Sequence, residues 1–165
     1  MNQRVFILHL GSNCGERQSF INEALRVIQQ NTGNLENESC LYETAPWGGV
    51  EQDDFLNLAV SGTTSLSPFQ LYRVCADIEN QIARPKREPW GPRELDIDCI
   101  FHGDSIIGTD ELVLPHPRAH LRRFVLQPIA DIAPEFMHPV IHQNISTLLA
   151  NCKDPLRVEK YQNNK

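Results

Sequence analysis

The chain has 165 residues, of which 41% are hydrophobic and 22% charged, and a formal net charge of −6 at pH 7. These values are typical of one globular domain with a real core, and they exclude a disordered chain or two ordinary domains. The longest apolar stretch near the start, residues 5–10, is too short for a signal peptide or a membrane span. A negative net charge argues against a general nucleic-acid binder.

The cysteines predict the compartment. There are five, an odd number, widely spaced and without a CxxC pair. This pattern is typical of reduced thiols, most of them in the core. We therefore predict a cytoplasmic protein. We also expect a monomer with no membrane or nucleic-acid partner.

The first half of the chain predicts alternating elements. Residues 4–10 read as a strand that ends in a Gly-Ser-Asn turn, and residues 16–32 have helical apolar spacing that stops at Gly33. Residues 35–43 and 54–64 predict two strands, because the loop between them is rich in turn-forming residues.

The second half completes the pattern. A helix begins at Ser67 with a capping box to Gln70 and runs to about residue 82. A strand at 94–101, a turn at 102–105 and a short strand at 106–107 follow. The order βαββαβ predicts an α+β, ferredoxin-like core with a mostly antiparallel sheet, an extra short strand and C-terminal helices. We expect Pro117 to open one of these helices and residues 145–151 to form another. One domain spans 1–152, and a polar tail over 153–165 is expected to fray.

The strand at 94–101 contains two carboxylates in an otherwise apolar run. Alternation puts Asp96 and Asp98 on one face with Ile100, and the opposite face holds Leu95, Ile97, Cys99 and Phe101. Their stems are about 6.6 Å apart at about 3.3 Å rise per residue. Because two unpaired carboxylates so close together repel each other, we expect a cation between or above them.

Two basic segments flank this strand. Residues 84–93 and 116–123 each have a local charge of +3, which leaves the rest of the chain at −12. Solvated surface ion pairs explain most single patches of this kind. Arginines on both sides of an aspartate pair are instead the composition of a site for a polyphosphate with a divalent metal.

Other polar residues have plainer interpretations. His116 and His120 are four residues apart, but no third ligand is near, so a phosphate-binding or structural histidine is favoured over zinc. His138 and His142 are expected at the surface. Glu79 lies at the edge of an apolar helix face, where a solvated position is the default.

The motifs resemble one family over nearly the whole chain. "WGPRELDID" is similar to the R-x-x-D-[LI]-D signature of the 6-hydroxymethyl-7,8-dihydropterin pyrophosphokinases of folate synthesis. "LGSNCGER", "YETAPWG", "DDFLNLAV", "IEN" and "LPHPRAHLRRFVLQPIADIAP" resemble further family segments in the same order. The family has a ferredoxin-like fold. The chain departs from the family's usual residues at Ala45, Trp47, Pro89 and Pro117.

The resemblance implies transfer of pyrophosphate from ATP to the pterin hydroxymethyl group, with two Mg²⁺ ions bound by Asp96 and Asp98. It implies that Arg84 and Arg93 act with these aspartates in catalysis. The other residues that it implies for ATP are Glu79, Lys86, His116 and Arg122. The residues that it implies for the pterin are Thr44, Ala45, Trp47, Phe55, Asn57, Trp90 and Phe124.

Alternatives from other classes remain. A D-x-D pair also occurs in sugar-nucleotide transferases, but those need a nucleotide-binding α/β half that this strand order does not supply. A catalytically silent ferredoxin-like regulator is a further alternative, which the retained aspartate pair disfavours. An RNA-binding domain of this fold would carry an aromatic RNP pattern, and this chain has none.

Overall fold

The computed structural model of the protein describes residues 2–84, 89 and 91–162. Its strands are β1 Arg4–Ser12, β2 Asn34–Glu38, β3 Tyr42–Thr44, β4 Phe55–Thr64, β5 Asp96–His102, β6 Ile107–Gly108, β7 Val113–Leu114 and β8 Val158–Lys160. Its helices are α1 Arg17–Asn31, α2 Pro68–Ile82, α3 Arg123–Ile132 and α4 Ile145–Asn151. The predicted capping box is present, since Ser67 accepts from the Gln70 backbone and Gln70 from that of Ser67.

One sheet holds the molecule together. Its strand order is β5-β1-β4-β3-β8, and β2 also pairs with β4. All these pairings are antiparallel, while β6 and β7 form a separate two-stranded sheet. The predicted ferredoxin-like α+β fold is confirmed. No helix in the described ranges is both long and apolar enough to cross a bilayer.

The two faces of the sheet are covered differently. Along β1, Phe6, Leu8 and Leu10 pack with buried residues of α1 and α2. Ile7 points to the opposite face and packs with α3 and α4. Alternation puts His9 and Gly11 on this second face, beyond Ile7. The polar part of the second face is where the pocket described below lies.

The strand predicted over 35–43 is divided into β2 and β3. Ser39 is the cause, because its hydroxyl accepts the Ala59 backbone N–H while its own N–H bonds the Ala59 carbonyl. A side-chain oxygen thus takes the place of the backbone carbonyl that would accept the Ala59 N–H in a regular strand pair. Both short strands still pair with β4.

The prediction for the face of Phe101 is wrong. Ile7 pairs with Phe101 but Leu8 pairs with Cys99, so Ile100 is an extra residue in the ladder. Such a bulge reverses the alternation beyond it. Phe101 therefore packs on the second face, with its ring centroid 4.7 Å from that of Phe136.

The prediction that a helix begins at Pro117 is also wrong. Only a single 3₁₀ turn, Ala119–Leu121, forms there, and α3 begins at Arg123. Arg122 has extended backbone angles (φ −117°, ψ 109°), which interrupt the helix between the two.

Residues 153–162 pack against the rest of the protein. β8 pairs with β3 over three residues, and Asp154 is only 8% exposed. The expectation of a frayed tail from residue 153 is wrong for the described residues 153–162. Hydrogen bonds to an open sheet edge outweigh their polar composition.

His138 is buried, contrary to the expectation of a surface position. It is 4% exposed, and its Nδ1 accepts hydrogen bonds from the backbone N–H groups of Val140 and Ile141. Its ring lies edge-on to Phe101. Burial, followed by the nearby His120 and His142, lowers the pKa of His138.

We expect this histidine to make stability pH-dependent. Because its folded pKa lies below the unfolded value of 6.5, the unfolded chain binds the proton first as pH falls. The free energy of unfolding should then decrease below pH 6.5, by at most about 1.4 kcal/mol per pH unit for one proton. Urea unfolding from pH 7.5 to 5 measures this slope.

The matched variant is His138→Asn, whose side-chain oxygen can still accept from the two backbone N–H groups. Its slope below pH 6.5 should be shallower than that of the wild type. His9 and His116, whose pKa values are also lowered, leave a residual slope in both proteins. Identical slopes would contradict a contribution from His138.

Candidate active site

A pocket of about 420 Å³ lies on the second face of the sheet. Strands β1, β3, β4 and β5 and the start of α3 contribute to it. Of the predicted site residues, eleven line it: Thr44, Ala45, Trp47, Phe55, Asn57, Arg93, Asp96, Asp98, His116, Arg122 and Phe124. Lining residues that sequence reasoning did not select are His9, Gly11, Gln52, Pro89, Pro117 and Arg118.

Four predicted site residues remain: Glu79, Arg84, Lys86 and Trp90. Lys86 and Trp90 are outside the described residues. Arg84 is not in the lining; its Nε donates to Glu94 Oε1 at 2.7 Å and its backbone N–H donates to Oε2 at 2.7 Å.

Glu79 is also absent from the lining, but it is bonded to the strand that carries the aspartates. Its Oε1 accepts the backbone N–H of Ile97, between Asp96 and Asp98, at 2.6 Å. The expectation of a solvated position is wrong, since its partner is a strand N–H. Glu79 therefore fixes the backbone between the two aspartates.

A cation lies beside the aspartate pair, as expected. Arg93 Nη1 donates to Asp96 Oδ1 at 3.1 Å, and both side chains are about one-fifth exposed. Arg122 is nearly buried, and burial lowers the pKa of its guanidinium, an effect that Asp98 opposes. The two carboxylates thus lie in a field of arginine charge.

The donor chemistry of the aspartates suits a hard divalent cation. Among the described residues, no group of three His, Cys, Asp or Glu side chains could hold a metal ion. Mg²⁺ is usually bound by one or two carboxylates, with substrate phosphates and water filling the other positions. The two carboxylates at one pocket wall fit such a shared site.

Asn13 holds two parts of the site together. Its Oδ1 accepts the Arg93 N–H at 2.8 Å, and its N–H donates to the Arg93 carbonyl at 2.9 Å. Its Nδ2 donates to Gln52 Oε1 and to the Asp53 carbonyl, both at 2.9 Å. The sequence feature that could have identified Asn13 as a site residue is its position directly after the first strand.

Asn57 and Thr44 form a polar floor at the other side of the pocket. Both are almost fully buried, and Asn57 Nδ2 donates to Thr44 Oγ1 at 2.6 Å. Gly11 leaves the room that Asn57 needs, since a Cβ at Gly11 would lie 2.6 Å from Asn57 Oδ1. The Asn57 amide is therefore held in place by its hydrogen bond to Thr44 and by the space that Gly11 leaves.

Trp47 lies against the basic residues. The Arg122 Cζ atom is 4.4 Å from the centroid of a Trp47 ring, and the Arg118 Cζ atom is 6.0 Å away. Arg122 is also 5.8 Å from the Phe124 ring centroid. A guanidinium over an aromatic face is attractive. This contact joins the loop 45–54 to the start of α3.

Two histidines in the pocket are neutral. Burial lowers the pKa of His9 to about 4, and burial together with Arg122 lowers the pKa of His116 to about 4. His9 Nε2 donates to the Phe124 carbonyl at 3.2 Å, and its ring lies edge-on to that of Phe124. His116 Nδ1 accepts the Arg118 N–H, which leaves its Nε2–H as a donor.

The chain is similar to a family of known proteins. Residues 7–134 match the family described as 7,8-dihydro-6-hydroxymethylpterin-pyrophosphokinase (HPPK). A Bacillus subtilis 2-amino-4-hydroxy-6-hydroxymethyldihydropteridine pyrophosphokinase is 39% identical over 136 residues, covering 82% of this chain and 81% of that protein. A relative of the same name from Methylorubrum extorquens is 36% identical over 156 residues, covering 94% and 97%.

Other similar proteins are larger. The match to the Lactococcus lactis bifunctional protein FolKE is 42% identical but spans only 36% of that protein. The Plasmodium falciparum HPPK-DHPS crystal structure with pteroate has a TM-score of 0.74 at 17% identity, covering 90% of this chain and 44% of that chain. This structural likeness supports the fold.

The chain belongs to the HPPK family, which confirms the family predicted from its motifs.

We expect Gly11→Ala to weaken dihydropterin binding by about tenfold or more, because the new methyl group displaces the Asn57 amide. Calorimetric titration with the pterin measures the loss. Gly108→Ala is the matched control, since a Cβ there meets nothing within 4 Å. Equal pterin affinity in the two variants would contradict the prediction that Asn57 needs the space at Gly11 to bind the pterin.

Proposed function

We propose that this protein transfers the terminal pyrophosphate of ATP to the hydroxymethyl group of 6-hydroxymethyl-7,8-dihydropterin and releases AMP. The observation that carries the proposal is one pocket with two unlike ends. Asp96 with Arg93 lies at one end, and the Asn57–Thr44 pair lies at the other. The first suits a metal-bound polyphosphate, and the second suits the polar edge of a flat heterocycle.

The triphosphate end would be held by side chains. Asp96 and Asp98 would hold two Mg²⁺ ions, which supply positive charge at the transferred phosphates. Arg93 and Arg122 would bind phosphate oxygens, and His116 would donate from its neutral Nε2–H. Glu79 would act through the Ile97 backbone by fixing the strand between the aspartates.

The pterin end would be held by polar and aromatic contacts. Asn57 and Thr44 would pair with the ring's polar edge, and Ala45 and Trp47 would border it. Phe55 and Phe124 would provide the aromatic walls, with the Phe124 backbone fixed by His9. A buried amide with a single side-chain partner has further hydrogen-bonding capacity for a ligand.

The chemistry would depend on alignment. The pterin hydroxyl oxygen attacks the β-phosphorus in line, the α–β bridging bond breaks, and the hydroxyl proton is released. The protein's part is to hold oxygen and phosphorus in contact and to stabilise charge on the phosphates. Arg84 would leave Glu94 to reach the triphosphate, and Lys86 and Trp90 would contribute to ATP and pterin binding respectively. Cytoplasmic location and a monomeric state remain predictions.

Asp96→Asn and Asp98→Asn should each lower kcat by about a hundredfold or more, because each removes charge at the phosphates in the transition state. AMP release from MgATP and the pterin measures kcat. Asp104→Asn, an exposed surface aspartate paired with Arg4, is the control and should be unchanged. Near-normal kcat in both site variants would refute the metal assignment.

Asn57→Ala should weaken pterin binding by about tenfold or more, since it removes a hydrogen-bonding group from a buried polar floor. The affinity for a non-hydrolysable MgATP analogue should stay within about twofold, because Asn57 lies at the other end of the pocket. Calorimetry on one preparation gives both affinities. Parallel losses for the two ligands would indicate a misfolded variant instead.

A further inference from the structure

Residues 152–161, which we call the C-terminal strap, lie outside the residues 7–134 that match the family. None of them lines the pocket. They nevertheless bond to both walls of its pterin end. One wall is the loop 45–54 with Trp47, and the other is the start of α3 with Arg122 and Phe124.

The strap holds the first wall at both ends of the loop. The Ala45 backbone N–H donates to the Arg157 carbonyl at 3.1 Å, directly after the β3–β8 ladder. The Arg157 guanidinium forms a salt bridge with Asp54, the residue before β4. Arg17 donates to the Asp54 carbonyl at 2.8 Å and so fixes the same point. A single strap residue thus joins the entry and the exit of the loop.

The strap also holds the second wall. Asp154 Oδ2 accepts the backbone N–H of Arg123, the first residue of α3, at 3.0 Å. Arg122, at the N-cap position, makes no capping hydrogen bond with its own side chain. A carboxylate at a helix N-terminus satisfies an open N–H group and interacts well with the helix dipole. Asp154 therefore caps α3 from a distant part of the chain.

The Arg123 side chain ties the same two segments together again. Its Nε donates to the Asp154 carbonyl at 3.2 Å and its Nη2 donates to the Cys152 carbonyl at 2.9 Å. Arg123 lies between Arg122 and Phe124 in sequence, so these bonds fix the backbone from which both pocket side chains extend.

We propose that the C-terminal strap is a positioning element for the pterin, with Arg157 and Asp154 setting the distance between the loop 45–54 and the start of α3. The inference rests on the proposed function. Trp47 and Arg122 meet across this gap at 4.4 Å, so a shift of either wall changes the shape that the pterin ring meets. The triphosphate end depends less on the Arg157–Asp54 pair, because Asp96 and Asp98 lie on β5 and Arg122 extends from the wall that Asp154 holds.

The test is the kinetics of Arg157→Leu. The KM for the pterin should rise about five- to tenfold, while the KM for ATP and kcat stay within about twofold. Since the Arg157–Asp54 pair is partly exposed, its loss should change the melting temperature little. Arg157→Lys, which retains a positive charge, should recover most of the pterin KM.

Two further variants make the test specific. Glu159→Gln is the matched control, because the Glu159 carboxylate contacts the same guanidinium at 3.4 Å but, among the described residues, is bonded to neither the loop 45–54 nor the start of α3. Its pterin KM should equal that of the wild type. Asp54→Asn should reproduce Arg157→Leu, and the double variant should be no worse than either single one, as expected for two partners of one interaction.

The outcomes separate the strap from the proposed function. In an active enzyme, an unchanged pterin KM in Arg157→Leu would overturn the role of the strap. An equal rise of the pterin KM in Glu159→Gln would overturn it too. If the wild type releases no AMP, the proposed function fails, and amide hydrogen exchange then tests the strap alone. Exchange at residues 45–54 should accelerate in Arg157→Leu but not in Glu159→Gln, and unchanged exchange would overturn the proposal.

Discussion

The antiparallel pairing of β1 with β4 on one side and β5 on the other brings the two ends of the pocket together. Gly11 stands opposite Asn57 of β4 and opposite Asp96 of β5. One residue without a side chain therefore separates the polar floor from the aspartate pair. Because paired residues of neighbouring strands share a face, the side chains of Asn57 and Asp96 lie on the same side of the sheet. The helices α1 and α2 cover the opposite face, whereas α3 and α4 pack on this face around Ile7 and the pocket lies beside them.

Desolvation sets the charge pattern of the site. Burial keeps His9 and His116 neutral near neutral pH. A neutral histidine donates or accepts a hydrogen bond without adding a charge next to the aspartate pair. The pocket can thus place its positive charge on guanidinium groups, which form two-point contacts with phosphate.

The regular parts of the chain were predictable because they follow local periodicity. Alternation alone put Asp96 and Asp98 on one face, and helical spacing with a capping box located α2. The failures have non-local causes: a bulge at Ile100 turned Phe101 over, the Ser39 hydroxyl divided a strand, and Asp154 caps a helix that begins 31 residues before it. The sequence did not identify His9 and Asn13 as site residues, because their roles depend on partners far along the chain, Phe124 and Arg93. Motif resemblance located most of the pocket, since motifs record such distant contacts.

The pairing of β8 with β3 has a consequence for how the protein is made. Residues 42–44 leave the ribosome long before residues 158–160, so the outer edge of β3 stays open while most of the chain is synthesised. An open strand edge is a template for pairing with another chain. The nascent protein is therefore exposed to intermolecular association at the strand edge beside the loop 45–54, until β8 emerges and closes that edge.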